Sequence, residues 1–175
     1  MSSPAQILVL HGPNLNMLGT RQPELYGTDT LDRITVAMQE RARPNDAQVT
    51  AKQSNHEGQL IDWLHEAHEQ AVDVVIMNAG ALSHTSVALR DAVEAIAPPV
   101  IEVHITNIYA REGFRRQSLI AHVARAGIQG FGAHGYLLAL DGALRIVHGM
   151  RQQQAGAPDS APQQRGMTDD QKQRH

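Results

Sequence analysis

The chain has 175 residues, 42% of them hydrophobic, and a formal net charge of -3 from 15 basic and 18 acidic side chains, which suits one domain with a substantial core. Both signs of charge are scattered along it, so no basic stripe for nucleic acid is present and a small molecule or a second copy is the expected partner. Cysteine is absent, which excludes disulfides, thiolate metal sites and a cysteine nucleophile. No apolar run approaches the roughly 18 residues needed to span a bilayer, and the start lacks a signal-peptide pattern, so no membrane partner is expected and a cytoplasmic location is.

The first expected strand is the branched apolar run Ile7-Leu8-Val9-Leu10, which breaks at Gly12-Pro13 into a polar loop reaching Gly27. Asn14 and Asn16 bring amides to this loop, Arg21 a fixed cation and Tyr26 a phenol. An arginine beside a tyrosine favours the phenolate, because an opposite charge within ~4–6 Å shifts a pKa by ~1–3 units, and Tyr26 then becomes a candidate base. Thr28-Asp29-Thr30 is expected to cap a helix with Leu31, Ile34, Met38 and Ala42 on one face, stopped at Arg43-Pro44.

Residues 47–54 alternate as an edge strand does, and a helix follows with Leu60, Leu64, Ala67 and Ala71 inward. A buried strand is expected at residues 72–77, ending in Asn78-Ala79-Gly80. Ser83 or Thr85 then caps a helix carrying Leu89, Ala92, Val93 and Ile96. Pro98-Pro99 precedes a strand over residues 100–105. A further helix is marked by Leu119, Ile120, Val123 and Ala124, a glycine-rich strand by residues 128–133, and a last helix by Leu137, Leu140, Leu144 and Val147. Five strands alternating with five helices predict an α/β fold of flavodoxin-like type: a five-stranded parallel sheet, covered on both faces, in the order 2-1-3-4-5. Residues 1–150 form the expected domain. Residues 151–175, rich in Gln with little to bury, are expected to be a disordered tail.

In that topology the carboxyl ends of strands one, three and four lie together. Asn14, Arg21 and Tyr26 are then joined by Asn78, Ser83 and His84, and by Glu102, His104, Thr106, Arg111 and Arg115. Glu102 and His104 alternate on one strand and share a face, where a carboxylate can orient an imidazole. A base, an acid, neutral hydrogen-bonding groups and cations around one crevice suit acid/base chemistry on a small polyhydroxy acid, with the arginine-rich segment as a flap. The His65-Glu66-Ala67-His68-Glu69 run has the wrong histidine spacing for a zinc helix, and Gly127 to Gly132 reverses the dinucleotide fingerprint, so no metal and no cofactor are expected. A flavodoxin-like binding module for a flavin or phosphorylated signal is the competing expectation, and a structural oligomer with a recruiting tail a third.

The segments LHGPNLNMLGTRQPELYG, SNHEGQLIDWLHEA, MNAGALSHTSVALRDAV, EVHITNIYAREGFRRQS and GFGAHGYLLAL, in this order, resemble type II 3-dehydroquinate dehydratase from Ile7 to about Met150. The resemblance implies a lyase that dehydrates 3-dehydroquinate to 3-dehydroshikimate in the shikimate or quinate pathway. It also implies no metal or cofactor and a homo-oligomer, usually a dodecamer of four trimers. Position by position, it implies Tyr26 as the base with Arg21 holding the tyrosinate, His104 steadied by Glu102 as the acid, and Asn14 binding the water that stabilises the enolate. Asn78, His84 and Arg115 would hold substrate hydroxyls and the amides of Ile105 and Thr106 the carboxylate. Asp91 would reach a neighbouring subunit's site, and Arg111 would belong to the flap.

Overall fold

The computed structural model describes residues 3–19 and 29–156. Five parallel strands, β1 (Ala5–His11), β2 (Ala47–Gln53), β3 (Val74–Asn78), β4 (Val100–His104) and β5 (Ala126–Gln129), form one sheet in the order β2-β1-β3-β4-β5. This is the expected topology. Its helices are α1 (Leu31–Ala42), α2 (Glu57–Glu69), the single turn α3 (Leu82–Thr85), α4 (Val87–Ala95) and α5 (His134–Gly156).

β1 shows why the sheet is covered twice. Ile7 and Val9 enter one apolar cluster and Leu8 and Leu10 the other, and all four are buried, as the two-residue period of a strand requires. On the first face α1 packs Ile34 and Met38, and α5 packs Tyr136, Leu140 and Val147. On the second face α2 contributes Leu60 and Leu64, and α4 contributes Leu89 and Val93. Burying each such side chain is worth about 1.5–3 kcal/mol against leaving it exposed. Among the described residues no helix is long and apolar enough to cross a membrane.

Several boundaries differ from expectation, each for a local reason. β3 starts at Val74, not Val72, because α2 ends in a Schellman-type turn: Ala71 sits at φ 51° and the Val72 amide donates to the Ala67 carbonyl. Ala71 therefore lies beyond the helix and is exposed. Ser86, not Ser83 or Thr85, caps α4, its hydroxyl accepting from the Leu89 amide at 2.8 Å. Thr30 caps α1 as expected.

No helix forms over residues 119–124. The Leu119 amide donates to the Ser83 carbonyl and Ser118 Oγ accepts the Ile120 and Ala121 amides as a helix cap would, but the turn stops at the Ile120 carbonyl, because the next amide, Arg125, donates to the Val100 carbonyl at 2.8 Å and leads the chain into β5. β5 ends at Gln129, well short of residue 133, because Gly130 and Gly132 turn to φ 85° and 58° while still donating to the His104 and Ile105 carbonyls. α5 runs on through Gly156, so the first residues of the expected tail are helical.

Candidate active site

β1 and β3 lie side by side, with His11 in register with Asn78. Beyond them the chain leaves through Gly12 and Ala79, which touch so closely that a Cβ on Gly12 would run into the Ala79 carbonyl. Only glycine permits this approach. Asn14 then takes a left-handed conformation, φ 68°, its amide donating to Asn55 Oδ1 at 2.9 Å. Asparagine tolerates that region better than most residues.

The crevice above these strand ends is lined by Asn14, Asn78, His84, His104, Ile105, Thr106, Arg111 and Arg115, together with apolar Leu15, Leu18 and Ile108. Eight expected site residues thus meet in one place. Arg21 and Tyr26 lie outside the described residues. Asp91 does not reach this crevice: it is exposed on α4, where it pairs with Arg90 at 2.8 Å.

His104 and Glu102 are both buried, and Glu102 Oε1 meets His104 Nε2 at 2.8 Å. Ser118 Oγ donates to the same carboxylate oxygen. That hydroxyl accepts the Ile120 and Ala121 amides, so its own proton is free to point at Glu102. A buried carboxylate with two donors on one oxygen is held in a single orientation. Bonding through Nε2 leaves His104 its Nδ1 for a ligand. The His84 ring stacks on His104 at 6.2 Å between centroids, and its Nδ1 donates to the Gln117 carbonyl at 2.8 Å. Residues 117–119 therefore fix three site groups: His84, Glu102 and the Ser83 carbonyl.

Ser118 and Gln117 were not singled out from sequence. Their only signal there is a Gln-Ser pair closing the FRRQS motif.

Two cations border the opening. Arg111 and Arg115 both approach Glu112 Oε2, at 3.3 and 3.4 Å, and Arg111 also donates to Thr106 Oγ1. Glu112's own backbone hydrogen bond holds its carboxyl below the ordinary range, and the two guanidiniums add to this. Among the described residues the rim sets one carboxylate, Glu112, against two guanidiniums, a balance that suits an anionic ligand. The Arg115 guanidinium also lies over the exposed Phe114 ring at 5.0 Å.

The floor is Asn78. Its Nδ2 donates to Tyr136 Oη at 3.0 Å and its Oδ1 accepts the Gly80 amide at 3.1 Å. Tyr136 Oη lies 3.1 Å from His11 Nδ1. Burial pushes the His11 pKa down to about 4 and the Tyr136 phenol well above its ordinary value, so both are neutral. Among the described residues no cluster of His, Asp and Glu is arranged to hold a metal ion.

A doubly covered parallel sheet carrying a carboxylate-backed imidazole, amides and a cationic rim at its strand ends suits an α/β enzyme of acid/base chemistry. A family model described as Dehydroquinase class II matches residues 5–144, and the chain belongs to that family. It is 54% identical over 144 residues to the 3-dehydroquinate dehydratase of Methylococcus capsulatus, covering 82% of this chain and 97% of that one. It is 50% identical over 139 residues to the catabolic 3-dehydroquinase of Debaryomyces hansenii, covering 79% and 96%. The crystal structure of type II dehydroquinase from Butyrivibrio crossotus superimposes with a TM-score of 0.79 at 38% identity, over 81% of this chain and 99% of that one.

Proposed function

We propose that the crevice eliminates water from 3-dehydroquinate through an enolate, with His104 as the general acid. The protein is a 3-dehydroquinate dehydratase, as its family and its relatives over nearly their whole lengths show, and its product is 3-dehydroshikimate. The observation that carries the mechanism is the 2.8 Å bond between Glu102 and His104, which orients His104 on the crevice wall.

The ketone acidifies the neighbouring proton, so elimination needs a base for that proton, stabilisation for the enolate oxygen and an acid for the departing hydroxyl. With Nε2 committed to Glu102, His104 delivers its proton from Nδ1, and the carboxylate holds the ring oriented for that transfer. Tyr26 is the base and Arg21 stabilises its phenolate, on the strength of their places in the resembling motif. Asn14 at the crevice edge binds the water that stabilises the enolate. Asn78, His84 and Arg115 bind hydroxyls, the amides of Ile105 and Thr106 take the carboxylate, and Arg111 closes over the substrate.

No metal or cofactor enters this scheme. Subunits assemble as a dodecamer of four trimers in the cytoplasm, Asp91 serving a neighbour's site. Its exposure on α4 beside exposed Val87 supports that role.

The test is to mix chelator-treated protein with 3-dehydroquinate and follow the ultraviolet absorbance of the conjugated enone. Product should form. Tyr26→Phe should abolish turnover with binding nearly intact, and His104→Ala should lower kcat by about 10²–10⁴. Turnover close to the parent's in either variant removes that residue from its role.

A further inference from the structure

The mechanism above uses Asn78 but neither of the buried groups behind it. We infer that Tyr136 and His11 are positioning residues for the dehydration: by accepting the Tyr136 proton, His11 leaves the phenol oxygen as an acceptor for Asn78 Nδ2, and this bond, together with the Gly80 amide on Oδ1, holds the Asn78 amide in one orientation and sets what the pocket floor offers to substrate. The inference rests on the reading of Asn78 as a substrate contact.

Hydrogen-bond polarity carries the argument. Gly80 can only donate, so it binds Asn78 Oδ1, and the Nδ2 group is left toward Tyr136. The phenol must then accept from Asn78 and place its single proton elsewhere. Tyr136 is fully buried, and the atom beyond it is His11 Nδ1 at 3.1 Å.

Two tautomers of neutral His11 are possible. With the proton on Nδ1, the tyrosine proton would have no acceptor among the described residues and Nε2 would be a second orphan. With the proton on Nε2, the chain Asn78→Tyr136→His11 is complete and only one N–H is unpaired. A buried orphan costs about 1–3 kcal/mol, so the second arrangement wins. Every donor then points one way. Asn78 keeps one N–H and one lone pair free for the crevice that it lines.

If His11 cannot accept, the tyrosine proton turns back toward Asn78. The amide is then caught between two donors, Tyr136 and Gly80, each seeking the one oxygen. The amide shifts to relieve that conflict, and its N–H and oxygen then stand in the wrong places for a substrate hydroxyl. The interaction is made alike in ground and transition states, so its loss belongs in KM and not in kcat.

Steady-state kinetics with 3-dehydroquinate on Tyr136→Phe, His11→Leu, His11→Asn and Asn78→Ala test this, with a thermal melt of each. Tyr136→Phe and His11→Leu should each raise KM about tenfold with kcat within about twofold, and the double variant should be no worse than Tyr136→Phe alone. His11→Asn should restore KM, because the asparagine carbonyl sits where Nδ1 was, whereas a purely structural role would leave KM untouched and lower only the melting temperature. If Asn78→Ala raises KM but Tyr136→Phe does not, the inference is overturned while the substrate contact stands. If Asn78→Ala leaves KM unchanged, the substrate contact itself is wrong and the inference goes with it. Should Tyr136→Phe fail to fold, His11→Leu against His11→Asn decides: equal KM values overturn the relay, and a rise in the leucine variant alone supports it.

Discussion

Two buried residues give the sharpest expectations at the scale of single side chains. His11 is held neutral, its pKa lowered from 6.5 to about 4 by burial, so between those values the unfolded chain binds a proton that the folded chain refuses. Stability should therefore fall as pH drops from about 6.5 to about 4, by up to about 3 kcal/mol from this residue. Urea denaturation across that range should show the slope, and His11→Asn should flatten it; an unchanged slope would assign the acid sensitivity elsewhere. Ser118→Ala removes one of two donors from the Glu102 oxygen. A cost of about 1–3 kcal/mol in stability and a lower kcat are expected, because the carboxylate that orients His104 loosens, whereas Ser118→Thr should retain much of both. Activity equal to the parent's in the alanine variant would show that His104 alone fixes Glu102. The Glu102–His104 pair was legible because strand alternation puts the two on one face. Ser118, Gln117, Tyr136 and His11 were not, because their partners stand 16, 33, 58 and 125 residues away, and no periodicity encodes such a distance.

Elements were legible where burial and punctuation agree. β4 and α1 lie within a residue of expectation and β1 within two, since segments bounded by Gly-Pro, Pro-Pro or Arg-Pro leave little choice. The segment over residues 119–124 was misread as a helix because its apolar spacing suits helix and successive turns alike, and only the fate of its amides separates them. The end of α2 supplies a test: Ala71 occupies φ 51° where glycine is usual. Ala71→Gly should stabilise the fold by about 1 kcal/mol, or roughly 2–4 °C in melting temperature; a lower melting temperature would mean that the αL penalty is already relieved. At the opposite extreme, Gly12→Ala forces β1 and β3 apart at their exits. It should cost more activity than stability, since Asn14 moves with that turn.

For the molecule as a whole, the covered sheet and the shared crevice follow from the order β2-β1-β3-β4-β5, which alternation alone made the leading topology. Assembly belongs to this scale too. A 19.1 kDa chain forming a dodecamer should sediment at about twelve times that mass, and Asp91→Ala should raise KM if it serves a neighbour's site. A monomeric, fully active protein would refute both.

α5 has a further consequence, in the order of synthesis. It follows all five strands in the chain, yet it supplies much of the cover for one sheet face and, at Tyr136, the partner of the pocket floor. Translation at about 5–20 residues per second therefore leaves a completed sheet waiting, half bare, for its last helix to leave the ribosome. During that interval the nascent chain is sticky on the face bearing Ile7, Val9, Ile76 and Val103 and catalytically unfinished. A chain that ended at residue 133 would keep that face bare and lack Tyr136, and it should aggregate.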